Sequence, residues 1–271
     1  MEPIRRHLRT AFRASGFLAL TAGTVYGHRA LAYLDPSLHA WAVRRAWVHR
    51  WGQAIVRLFG LDLTRVAGEL PTGGGPFLVV ANHHSPFDIL ISLQLVGGSV
   101  LSHHGVASWP VVGDACRATD TIFVDREDPR SGAKAIRAIR SHLKSGRNVI
   151  VFPEGNTFRG DEVRPFRQGV FAAARGLPDV QVLPLGLAYV HGTEFVQEGF
   201  GEHLLRTSGR ARTPVWLAIG EPRPVPGKGE VEALRRTVQT LVDRAAAARD
   251  RQLQARAPGP SLPTPPEASA C

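Results

Sequence analysis

Short apolar runs alternating with helical periodicities are what most limits the fold open to this chain. Residues 77–81, 121–124, 148–152, 182–187 and 215–219 are brief, apolar, and rich in Val, Ile, Leu and Phe, and each reads as a strand. Between the second and third of these, residues 131–145 carry Ala135, Ile136, Ile139 and Leu143 at helical spacing and stop at Gly146. A last helix is expected over residues 231–256. Strands separated by helices imply an α/β fold, a mostly parallel central sheet layered with helices. Residues 257–271, crowded with proline and small side chains, are expected to form a disordered tail. No internal repeat is visible.

The first sixty residues read differently. They hold nine arginines against only Glu2 and Asp35, and so carry most of the formal charge of +10. Trp41, Trp47, Trp51, Tyr26 and Tyr33 are interleaved with those arginines, a mixture that suits a lipid headgroup boundary better than nucleic acid. Asp35-Pro36 has the form of a helix start, and the segment onward to Phe59 sets Trp41, Val48, Ile55 and Phe59 on one stripe. Arg50 and Arg57 fall opposite, while Arg44 intrudes on the apolar side. This is either a surface helix packed on the body or half of a helix pair dipping into one leaflet. The longest apolar run, residues 14–26, is interrupted by Gly27, His28 and Arg29, short of the ~20 residues of a membrane span. Ala30-Leu31-Ala32 resembles a signal-cleavage site, but Arg29 beside it and the continuing amphipathic pattern argue against one. Residues 1–60 are therefore expected to be a membrane-association segment, and residues 61–256 the main domain. Two cysteines, Cys116 and Cys271, make neither a disulfide framework nor a cysteine zinc site, and a reducing, cytosolic setting is the default.

The chemistry gathers where the strand 77–81 runs into Asn82-His83-His84-Ser85-Pro86-Phe87-Asp88. A histidine just past a buried strand sits at the rim of the sheet, where open α/β folds place their sites. Asp88 can fix one imidazole nitrogen and leave the other to accept a proton. Ser85-x-x-Asp88 with Pro86 at the first helical position is also a capping-box pattern, and these residues alone leave both readings open. A metal set of His83, His84, His103, His104 and Asp88 fits poorly, because adjacent side chains diverge on a strand or helix.

Three further blocks follow in order: Phe123-Val124-Asp125-Arg126, Phe152-Pro153-Glu154-Gly155 and Leu183-Pro184-Leu185-Gly186. With Asn82-His83-x4-Asp88 they resemble the glycerolipid acyltransferases, the lysophospholipid acyltransferase family that includes bacterial 1-acylglycerol-3-phosphate acyltransferase, over residues 60–225. The resemblance implies a glycerol-3-phosphate acyltransferase-like fold behind an N-terminal amphipathic membrane-binding motif. It implies His83 as general base, Asp88 as its partner and Arg126 as phosphate ligand, with Glu154 and Gly155 at the acceptor site. Backbone amides around the 82–85 turn are expected to meet the developing oxyanion. The donor is acyl-CoA or acyl-carrier protein, with no other cofactor and no metal. The setting is an anionic membrane, on the cytoplasmic face.

Two departures bear on the acceptor. Many relatives that use lysophosphatidate carry Thr-Arg-Ser after Pro-Glu-Gly, whereas this chain has Asn156-Thr157-Phe158, with Arg159 as the next cation. A branch of lyso-ornithine-lipid acyltransferases has threonine there, and Arg164-Pro165-Phe166-Arg167 resembles its next segment. Relatives also place a lysine and a glutamate ahead of Trp109-Pro110, where this chain has residues 104–108 without either. Lysophosphatidate is the leading acceptor, a lyso-ornithine or other lysolipid the alternative, and a catalytically silent lipid-binding protein the reading from another class.

Overall fold

A computed structural model describes residues 2–73, 75–125, 127–196 and 200–256. Arg126 and the proline-rich tail, for which a ligand role and disorder were expected, lie outside the described residues. Two helices come first, α1 (Glu2–Leu34) and α2 (Trp41–Leu58). The rest alternates: β1 (Leu61–Ala67), β2 (Phe77–Ala81), α3 (Phe87–Val96), β3 (Ser99–His103), α4 (Val112–Ala118), β4 (Ile122–Val124), α5 (Pro129–Lys144) and β5 (Val149–Val151). Then come α6 (Gly169–Ala174), β6 (Gln181–Tyr189), α7 (Phe200–Ser208), β7 (Thr213–Ile219), β8 (Arg223–Pro224) and α8 (Val231–Arg256).

The sheet runs β1-β7-β6-β2-β5-β3-β4. Its five strands from β6 to β4 are parallel, as expected, while β7 turns antiparallel to β6 and carries β1 alongside. Every residue of β2 is buried, because helices cover both faces of a parallel sheet. Phe77, Val79 and Ala81 meet Ile55 and Val56 of α2 and Ile91 of α3. Leu78 and Val80 meet Ile139 and Leu143 of α5 and Val238 and Val242 of α8. The pairing of β3 with β5 lasts only for Ser99↔Val149 and Val100↔Ile150, after which β3 pairs with β4 alone. That parting opens a gap in the sheet beside the end of β5.

The glycine of the Leu183-Pro184-Leu185-Gly186 block has a packing reason. A Cβ on Gly186 would stand 2.5 Å from the carbonyl carbon of Leu241 and from the amide nitrogen of Val242, so α8 lies backbone-close on β6.

The N-terminal region departs from expectation in three ways. The expected helix start at Asp35 is a single 3-10 turn (Pro36–His39) with Asp35 accepting from the Ser37 N–H at 3.0 Å; Ala40 then turns extended and α2 begins at Trp41. Secondly, the arginines are not all free for lipid. Arg6 and Arg9 donate to the carbonyls of Arg206 and Gly209, and the buried Arg13 to those of Ser208, Arg210 and Ala211. The three clamp α1 onto the C-terminal end of α7, where unpaired carbonyls attract cations. Arg44, the intruder on the apolar stripe, pairs with Asp120 at 2.7 Å. Thirdly, most of the aromatics are spoken for. Trp51 donates to Thr21 Oγ1 and packs near Phe17, Trp47 faces His28, Trp41 lies under Arg44 and Arg147, and Tyr26 donates to Asp114. Only Tyr33 of the five stands largely free. With Arg6, Arg9 and Arg13 turned to those carbonyls, α1 presents Ile4, Leu8 and Phe12 outward, 67%, 64% and 70% exposed. Among the described residues no helix is long and apolar enough to cross a membrane.

Candidate active site

The site is built where β2 ends. Asn82 extends the ladder with its side chain, donating from Nδ2 to the Leu187 carbonyl at 2.9 Å and accepting the Leu187 N–H at 2.8 Å. An asparagine amide imitates a peptide group, so the strand's last bond pair to β6 is kept while the main chain turns away.

That turn brings His83 and Asp88 together. His83 Nδ1 stands 2.9 Å from Asp88 Oδ2, and the same oxygen accepts the backbone N–H groups of His84 and Ser85 at 2.7 and 2.8 Å. The capping box and the catalytic dyad are thus one arrangement rather than alternatives. Asp88 caps the start of α3, and by doing so is held against the imidazole. Its second oxygen accepts the Tyr189 hydroxyl at 2.5 Å. Burial of this fully enclosed carboxyl pushes its pKa up, but the hydrogen bonds from His83 and Tyr189 and the two neighbouring histidines outweigh it, and the net shift is downward. Asp88 is therefore ionised and accepts only, which assigns the proton to His83 Nδ1 and leaves Nε2 its lone pair. The His83 ring is stacked on Phe152, centroids 4.3 Å apart, so the two bonded groups have little freedom to swing.

Glu154 is a buried clip. Oε1 accepts the His83 N–H and Oε2 the Arg164 N–H, both at 2.8 Å, tying three loops into one. Burial pushes its carboxyl up to about 7 against the pull of those two amides. Burial likewise holds the His84 imidazole down, keeping it neutral.

One expectation fails here. The amides of the 82–85 turn were to face the oxyanion, yet those of His83, His84 and Ser85 are already bonded to Glu154 and Asp88. Donors to a developing oxyanion must come from elsewhere on the cavity wall.

That cavity, about 670 Å³, occupies the gap between β5 and β3. His83, Leu90, Leu93, Leu101, Ile136 and Phe152 are on its mostly apolar wall, and its polar rim includes Asp125, Asp128, Thr157 and Arg167. Gly155 and Thr157 line it. Gly155 has φ +83°, and an added Cβ would come within 2.5 Å of Arg167 Nε. Thr157 Oγ1 donates to the Phe195 carbonyl. Arg159 is exposed and not on the wall. Among the described residues no three metal-ligating side chains converge. Tyr189 and Arg167 were passed over in the sequence as site residues. Tyr189 shares the face of Leu183, Leu185 and Leu187 on the strand beside β2, and that parity was the available signal.

The family profile described as Acyltransferase matches residues 63–188, a span that takes in all four blocks. The lyso-ornithine lipid O-acyltransferase of Pseudomonas aeruginosa is 33% identical over 248 residues, 89% of this chain and 93% of that protein. The chain belongs to the acyltransferase family. The acyltransferase is also 34% identical over 157 residues to the lyso-ornithine lipid O-acyltransferase of Rhizobium meliloti, matching 53% of that relative's length. It is 34% identical over 134 residues to the 1-acyl-sn-glycerol-3-phosphate acyltransferase of Neisseria meningitidis, or 51% of that protein. Among solved structures, PlsC, the 1-acyl-sn-glycerophosphate acyltransferase of Thermotoga maritima, superimposes with a TM-score of 0.67 at 25% identity, covering 95% of this chain and all of that one.

Proposed function

We propose that this acyltransferase moves a fatty acyl group from a thioester to the free hydroxyl of a lysolipid at a membrane surface. The observation that carries the reading is His83, bonded at 2.9 Å to a buried, ionised Asp88, on the wall of an apolar cavity. With Nδ1–H committed to Asp88, Nε2 takes the proton of the acceptor hydroxyl as that oxygen attacks the thioester carbonyl carbon. Asp88 stabilises the imidazolium that forms. The tetrahedral adduct collapses with cleavage of the C–S bond, and the thiolate takes the proton back from His83. One ester and one free thiol result, with no covalent enzyme intermediate and no cofactor beyond the co-substrate, acyl-CoA or acyl-carrier protein. Arg167, on the wall beside Gly155, is a cation placed to meet the carbonyl oxygen or the acceptor head.

Lysophosphatidate is the first acceptor reading, with Arg126 as phosphate ligand and Arg167 in support; Arg159, exposed, is a weaker partner. A second reading has an observation of its own. Asp125 and Asp128 line the same cavity, and acids there suit the amino group of a lyso-ornithine lipid better than a phosphate. The relative matched along nearly the whole chain carries that activity in its name.

Residues 1–60 serve as the membrane-association segment of a catalytic unit formed by residues 61–256. Ile4, Leu8 and Phe12 enter the headgroup layer, and the exposed Arg5, Arg50 and Arg57 meet anionic lipid rather than nucleic acid. The setting is peripheral or monotopic, on the cytoplasmic face of the cell membrane.

The test is purified protein with labelled acyl-CoA and acyl-carrier protein against lysophosphatidate and lyso-ornithine lipid. Transfer to the first alone supports the phosphate reading, and transfer to the second alone the amino-acid head. No transfer to either from folded, vesicle-bound protein would favour a silent lipid-binding protein.

A further inference from the structure

α5 turns one face to the cavity and the other to solvent, and the two faces differ in charge. The helix holds five cations and no acid. Gly132, Ala135, Ile136 and Ile139 line the cavity. Arg140 is used internally, donating to the carbonyls of Ala173 and Arg175 at 3.1 and 2.8 Å. The other four, Arg130, Lys134, Arg137 and Lys144, are exposed, and none makes an ion pair among the described residues. At helical periodicity they fall within a sector about 80° wide and extend over about 21 Å. Of the two acids just before the helix, Asp128 caps it by accepting the Arg130 N–H at 2.8 Å, and Glu127 is exposed.

The sheet separates this row from the layer that α1 packs on. α2 and α3 cover the face of β2 made by Phe77, Val79 and Ala81, whereas α5 covers that of Leu78 and Val80. A lipid surface met by Ile4, Leu8 and Phe12 therefore does not account for the cations of α5. They stand on the opposite layer, one helix thickness from the cavity.

We propose that the outward face of α5 docks an acidic carrier protein that presents the acyl thioester. The inference rests on the acyl-transfer reading and names its donor. Single charges strung along a helix match a row of carboxylates on a partner's surface. The phosphates of CoA would instead need cations gathered within a few ångströms of one another. Charge complementarity of this kind steers encounter and weakens with added salt.

The experiment compares kcat/KM for the same acyl chain on acyl-carrier protein and on CoA. The proteins are wild type, Lys134→Glu/Arg137→Glu, and Arg236→Glu/Arg244→Glu on the exposed side of α8 as a control for overall charge. The α5 pair is expected to lose about tenfold or more with the carrier, through KM, and to stay within about twofold with acyl-CoA. The control keeps both rates, and the wild-type carrier rate falls with salt. Equal loss with both donors, or no loss with the carrier, overturns the proposal. So does a loss of binding to anionic vesicles by the α5 pair, which would assign the row to lipid. Wild-type transfer from CoA but not from the carrier removes the docking site and leaves acyl transfer standing. No transfer from either donor removes the acyl-transfer reading itself.

Discussion

At the scale of single residues, Tyr189 makes the dyad a group of three. Its hydroxyl, fully buried, holds the Asp88 oxygen that His83 does not use. Tyr189→Phe removes a hydrogen bond to a charged acceptor, worth ~1.5–3 kcal/mol. The expected result is a fall in kcat of about tenfold or more with KM little changed. Losing a bond that holds the carboxyl down raises the pKa of Asp88, so the acid limb of the activity profile moves to higher pH. A merely structural tyrosine would leave that limb in place. Glu154 allows a second test. Its folded pKa, about 7, lies above the ordinary 4.5, so its contribution to stability is present at low pH and is lost as pH rises through 7. Relative to Glu154→Gln, wild type should lose about 3 kcal/mol between pH 4.5 and 8, read from urea midpoints. The opposite trend would mean that the two amides dominate the carboxyl. His83 and Asp88 were legible in the sequence because they are five residues apart and share one turn. Tyr189 was not, because it reaches Asp88 across 101 residues and only the pairing of β2 with β6 makes them neighbours.

At the scale of elements, the strands that could be read were those buried on both faces. β2 was bounded to the residue because all five positions are apolar. β1 was missed because its text, Leu-Asp-Leu-Thr-Arg-Val-Ala, is that of a half-exposed edge strand, and β3, Ser-Val-Leu-Ser-His, because only Val100 and Leu101 in it are apolar. The long reach of α1 was illegible for a different reason. Its first turns are held inward by arginines on carbonyls, so Ile4, Leu8 and Phe12 point away from the body rather than toward it. Gly186 was recognised as part of a block, but its cause is α8 lying against β6, a contact invisible in local pattern. Gly186→Ala should therefore destabilise the fold by ~1–3 kcal/mol, measured as a lowered urea midpoint, with no change in the affinity for acceptor in the protein that remains folded. An unchanged midpoint would show that α8 has room to move.

At the scale of the whole molecule, the parting of β3 from β5 opens a cavity through the sheet, placing His83 on the wall of a space that Phe17 of α1 and Ile136 of α5 both line. A sequence shows strands but not where a sheet divides, so the cavity was beyond reach of pattern. The same arrangement gives the molecule an apolar outer edge on α1. Leu8→Glu/Phe12→Glu should reduce co-sedimentation with anionic vesicles by about tenfold or more, while acyl transfer to a detergent-dispersed acceptor is retained. Equal loss of both activities would mean that this edge belongs to the fold and not to the membrane. The central claim, that His83 deprotonates the acceptor with Asp88 behind it, is tested most directly by single-turnover acyl transfer in His83→Ala beside wild type. Folding and vesicle binding are checked on the same preparations. The account predicts loss of transfer by about a thousandfold or more, with both controls intact. A His83→Ala protein that transfers at a rate near wild type would contradict it.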